Sequence, residues 1–78
     1  MARKQQFHIT LDGVEHEVIY TRPTFGRRVF IEIDGERYEL SRGAREEPFR
    51  LGDEQAILCI DRKGRASIRT RQGVAQEV

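Results

Sequence analysis

Between Arg27 and Leu40 the chain reads Arg-Arg-Val-Phe-Ile-Glu-Ile-Asp-Gly-Glu-Arg-Tyr-Glu-Leu, two alternating runs on either side of Asp34-Gly35. Aspartate and glycine both tolerate positive φ, so this dipeptide closes a two-residue type I′ hairpin whose twist matches that of its strands. Val29, Ile31 and Ile33 then share one face across from Phe30 and Glu32, and Tyr38 and Leu40 share one across from Arg37 and Glu39. The run from Arg28 to Ile33 is apolar on nearly both sides, as an interior strand requires.

The same grammar extends in both directions. Phe7, Ile9 and Leu11 alternate with His8 and Thr10; Asp12-Gly13 turns the chain; and Val14, His16, Val18 and Tyr20 alternate with Glu15, Glu17 and Ile19. Thr21 to Gly26 is a loop broken by Pro23, and Phe25 within it is expected to plug one end of the core. Ser41 to Pro48 reads as a second loop, with Gly43 and Pro48 as breakers. Phe49 and Leu51 make a short strand, Gly52-Asp53 a turn, and Ala56 to Ile60 a further interior strand. Asp61-Arg62-Lys63-Gly64 has the composition of a type I turn with a G1 bulge. The last strand, Arg65 to Arg71, directs Ala66, Ile68 and Thr70 inward and Arg65, Ser67, Arg69 and Arg71 outward. Turn signals about every ten residues, with no helical periodicity, predict an all-β protein: a small antiparallel β sandwich or partly closed barrel of about seven strands. At 78 residues the chain is expected to form a single β domain, 1–78, with 1–6 and 72–78 frayed.

Composition narrows the chemistry more than it directs it. A formal net charge of +1 predicts no partner by bulk attraction, although twelve of the fourteen basic residues are arginine, whose planar fork suits flat or anionic partners. Cys59 is the lone cysteine, which excludes an intrachain disulfide and fits a reducing cytoplasm. It lies in an apolar run and reads as a buried small hydrophobe. No apolar run approaches the ~20 residues of a membrane helix, so no membrane partner is expected. His8 and His16 fall on opposite faces, and His16 reads as a hydrogen-bonded structural histidine; no metal and no cofactor are expected. Ser41 and Ser67 lack the glycine-framed elbow of a nucleophile, and domains this short seldom enclose the ~300 Å³ or more that a substrate pocket needs, so no catalytic site is expected.

The short motifs carry two resemblances. Asp12-Gly13, the strand Val14 to Tyr20, Gly26-Arg27-Arg28, Ile33-Asp34-Gly35-Glu36 and Phe49-Arg50-Leu51-Gly52 together resemble the Fas apoptotic inhibitory molecule family over about Leu11 to Thr70. Where that family has His-Gly-Thr, this chain has Thr21-Arg22-Pro23, and it has no tryptophan. The likeness implies a compact β sandwich acting as a non-enzymatic binding module, in a family linked to apoptosis control and protection of proteins from aggregation. Arg27-Arg28 with Glu39-Leu40-Ser41-Arg42-Gly43-Ala44 is similar to the motifs with which PilZ domains grip cyclic di-GMP.

The expectation is a binding module that acts through a sheet face or an exposed strand edge on a protein partner, or on itself. The alternative is nucleotide or nucleic-acid binding, with a cyclic nucleotide among the ligands, through Arg27, Arg28, Arg42, Arg65, Arg69 and Arg71.

Overall fold

In the computed structural model, which describes residues 3–24, 28–41, 43 and 45–78, the turn signals set the strand boundaries. β1 (Arg3–Leu11) and β2 (Val14–Arg22) meet at Asp12-Gly13, and β3 (Arg28–Ile33) and β4 (Glu36–Ser41) meet at Asp34-Gly35. β5 (Glu46–Leu51) and β6 (Glu54–Ile60) meet at Gly52-Asp53, and β7 (Ala66–Thr70), β8 (Gly73–Val74) and β9 (Gln76–Glu77) complete the order. The central residues of the first two turns have φ of 52° and 78°, and of 48° and 92°, the double left-handed conformation of a type I′ hairpin. The loop after β6 closes with the Gly64 N–H donating to the Asp61 carbonyl at 3.0 Å. Gly64 sits at φ 83°, as a G1 bulge requires.

The strands form two antiparallel sheets, β4-β3-β2-β1-β9 and β5-β6-β7-β8, that face each other without closing into a barrel. β3 and β6, both expected to be interior, are flanked on either side. Between the sheets lie Phe7, Leu11, Val18, Tyr20, Val29 and Ile31 from the first and Leu51, Ala56, Leu58, Ala66 and Ile68 from the second. Every one of these inward positions follows the period-two alternation of its strand.

The structure corrects the sequence reading in four places. Residues 3–6, expected to be frayed, begin β1 and pair with β2 as far as Arg3↔Arg22. Gln5 is buried there, and its side-chain amide accepts from the Ala66 N–H at 2.8 Å and donates to the Ala66 carbonyl at 3.1 Å. A strand of the first sheet thus holds a strand of the second through a polar side chain that hydropathy counts against burial. Residues 73–78 are likewise ordered: β8 extends the second sheet and β9 the first. The Ala75 N–H donates to Ile68 and the Val78 N–H to Gln6. The loop expected over Ser41 to Pro48 is shorter, because Pro48 lies inside β5 opposite Ile57; a proline is accommodated on an edge strand whose missing N–H faces away from the ladder. Cys59 is half-buried rather than buried; it points to the outer side of the second sheet, where Arg69 Nη2 lies 3.5 Å from its sulfur. The expected plug, Phe25, lies outside the described residues.

Candidate functional site

Hydrogen bonding across β2, β3 and β4 determines which main-chain groups remain free. The Asp34 N–H donates to the Glu17 carbonyl at 2.9 Å, and antiparallel ladders alternate strictly, so Glu32 and Phe30 also face β2. Ile33, Ile31 and Val29 therefore face β4, where their partners are Glu36, Tyr38 and Leu40. The main-chain groups of Arg37 and Glu39 point the other way, to an outer edge with which no described strand pairs.

Across the opening between the sheets lies β5, the edge strand of the second sheet. Its ladder to β6 closes on Leu51↔Glu54 across a two-residue turn, so by the same alternation Pro48 and Arg50 face outward. Pro48 removes the middle donor of that edge, a device that blocks strand addition. No proline interrupts β4. The two remaining sheet edges, β8 and β9, are two residues each, too short to template a partner strand.

Between β4 and β5 runs an open groove of about 420 Å³ whose lining includes Ile31, Ile33, Tyr38, Leu40, Pro48 and Phe49. Tyr38 is 48% exposed at its lip. Its hydroxyl donates to Glu36 Oε2 at 2.6 Å, and that bond and the glutamate charge raise the phenol above its ordinary range. On the outer face of the same strand the Arg37 guanidinium stacks 4.0 Å over the Phe30 ring, and Glu39 Oε1 lies 3.3 Å from Arg28 Nε. The site is therefore a strand edge unpaired among the described residues, with an apolar groove on one side and a row of alternating charge on the other.

The described arginines among those singled out from sequence do not share one face. Arg28 lies on the outer face of the first sheet, whereas Arg65, Arg69 and Arg71 are exposed along or beside β7 of the second. Arg65 is paired with Glu77 at 3.2 Å. Arg69 and Arg71 come together with Gln55 and Ile57 around a shallow depression of about 460 Å³. Arg27 and Arg42 lie outside the described residues. Arg50 escaped the sequence reading, although its alternation with the inward Phe49 and Leu51 was available to place it on the outer side of the second sheet.

Neither histidine stands in a ligand set. Buried His16 has its Nδ1 2.7 Å from Asp34 Oδ2, the hydrogen-bonded structural role expected of it, and His8 lies 3.3 Å from both Glu15 and Glu17. Among the described residues no group of His, Cys, Asp and Glu converges as a metal site, and no helix is long and apolar enough to cross a membrane. Compared with known proteins, the chain matches no family model, no curated protein and no solved structure at a significant level.

Proposed function

We propose that this chain is a non-catalytic protein-recognition module of the reducing cytoplasm that receives an extended segment along the outer edge of β4. The observation that carries this reading is the coincidence of free main-chain donors and acceptors at Arg37 and Glu39 with an apolar groove beneath the same strand. In strand addition the main chain supplies affinity, and pockets for alternate side chains supply selectivity. The groove takes the inward side chains of an added strand, while the outward ones meet the charged row of Arg28, Arg37 and Glu39. The resemblance to a non-enzymatic β-sandwich family accords with this role.

Selection of extended peptides from a random library, followed by amide spectra of the complex, tests the reading. Ligands of alternating polarity should protect the Arg37 and Glu39 amides from exchange, and Glu39→Pro should abolish binding while leaving the β3–β4 ladder in place. Binding that survives Glu39→Pro moves the site elsewhere.

A second reading rests on Arg69 and Arg71 beside Ile57, which is 36% exposed: an anionic strand lies along the outer face of the second sheet. Among the described residues no aromatic side chain lines it for base stacking, so affinity derives from phosphate contacts and falls steeply with salt. An oligonucleotide whose binding is insensitive to both salt and Arg69→Ala removes this reading.

A further inference from the structure

From the charge order along β4 we infer that the segment received at this edge is β4 of a second copy, giving a two-fold dimer centred on Tyr38; the inference rests on β4 being a receiving edge. In an isologous antiparallel pair, the outward-facing groups of Arg37 and Glu39 must meet the same groups of the other chain. Three registers achieve this. Centred on Arg37, the pairing sets two arginines opposite each other; centred on Glu39, it sets two glutamates opposite each other. Centred on Tyr38, it places Arg37 opposite Glu39 of the second copy, and Glu39 opposite Arg37, so both pairs are of unlike charge. A shift by a single residue is barred, because it turns the inner face of one strand outward.

The Tyr38 register satisfies the remaining features of the strand. Both Arg37–Glu39 pairs are of the hydrogen-bonded kind, each exchanging two main-chain bonds, while the tyrosines fall in the intervening close pair, where side chains approach most nearly. That covers the aromatic ring that is 48% exposed in the single chain and places it against a second aromatic. The outer row then alternates in sign across the junction. Glu39, already 3.3 Å from Arg28, gains Arg37 of the other copy as its cross-strand neighbour, the guanidinium swinging from over Phe30 toward the junction. Pro48 prevents β5 from forming a second ladder beside the first, so the pairing consumes both β4 edges and the assembly ends at two chains.

A charge-swap experiment by sedimentation equilibrium decides the matter. Loaded from about 1 μM to 1 mM, the range in which small interfaces are populated, the wild-type chain should approach twice its 9.1 kDa mass. Arg37→Glu and Glu39→Arg each turn both unlike pairs into like pairs and should weaken association roughly 30-fold. An equimolar mixture of the two variants restores both unlike pairs, and should recover a dimer made of one chain of each. Glu39→Pro should be monomeric throughout. A wild-type chain that stays monomeric overturns the inference, as does a dimer indifferent to the swaps or one that the mixture does not restore. A monomer that still binds extended peptides in a manner lost on Glu39→Pro retains the receiving edge and discards only the second copy as its occupant. A chain that neither dimerises nor binds such peptides loses both.

Discussion

The Tyr20 hydroxyl lies in the core with no hydrogen-bond partner among the described residues, and the side chain is fully buried. A buried polar group left unpaired costs about 1–3 kcal/mol, whereas the ring itself fills space between the sheets. Tyr20→Phe removes the cost and keeps the packing, so it should raise the stability measured by denaturant unfolding by about 1 kcal/mol. A loss of stability instead points to an ordered water on the hydroxyl. Asp34 is the opposite case, a polar side chain with more than one task. Its position at φ 48° closes the hairpin, and its carboxylate accepts from the Glu17 N–H at 2.9 Å and contacts His16 at 2.7 Å. Partial burial alone raises its pKa, but the bonds to His16 and Glu17 and the His16 charge outweigh that, and the group titrates below its ordinary 3.8. A depressed carboxylate contributes stability that is present above its unfolded pKa and is lost as pH falls through the folded one. Asp34→Asn keeps a residue that tolerates the turn, and with a side chain 42% exposed to screening solvent it should cost only about 1 kcal/mol at pH 7. The difference between the two proteins should narrow as pH falls through the carboxylate range, below about pH 4; a gap that does not narrow there contradicts the assignment.

At the scale of strands, the ends of the chain do the joining that its middle does not. Gln5 on β1 completes both main-chain groups of Ala66 and also donates to Glu77 Oε1 at 3.1 Å, so one amide ties together β1, β7 and β9. Gln5→Leu adds apolar volume but strands a buried N–H and a buried carbonyl, and should lower stability by about 3 kcal/mol. A neutral result by thermal unfolding means that water or a neighbour replaces the amide. These features also mark where sequence reasoning succeeds and where it stops. Asp12-Gly13 and Asp34-Gly35 were legible because the conformation they need is local. The inward faces of β1 to β4 and of β7 were legible because alternation survives wherever one side is buried. Gln5 was not, since its burial depends on the main-chain groups of Ala66, more than sixty positions along the chain. Residues 73–78 were not, because two-residue strands have no period to detect. Pro48 read as a breaker because its tolerance depends on strand order, and strand order is what a list of strands omits. The candidate site failed to emerge for the same reason. Arg37 and Glu39 look like solvated alternation until β4 is found at an edge, and the grouping of Arg28 with Arg69 falls once the two lie in different sheets.

For the molecule as a whole, size decides what the open edge of β4 means. A chain this short buries too little to be more than marginally stable, typically about 3–5 kcal/mol, and among the described residues it has no disulfide to add. Its apolar core is confined between two sheets whose opening at β4 and β5 leaves Tyr38 and the groove beside it in contact with solvent. Pairing of two copies closes that opening in both at once and draws the unfolding equilibrium toward the folded dimer by mass action. Unfolding then releases two chains from one assembly, so each tenfold rise in concentration above the dissociation constant adds about 1.4 kcal/mol per dimer, or half that per chain. For a domain of this length, that corresponds to a rise in Tm of about 3–6 °C per tenfold concentration. Calorimetric scans over two decades of concentration should show that slope in the wild-type protein and in the equimolar mixture of Arg37→Glu and Glu39→Arg. In either variant alone the slope should set in only at about 30-fold higher concentration, and Glu39→Pro should show none. Because all five samples share one core, a slope that persists in Glu39→Pro places the association on another surface, and a flat wild-type curve means that the molecule is stable without its second copy.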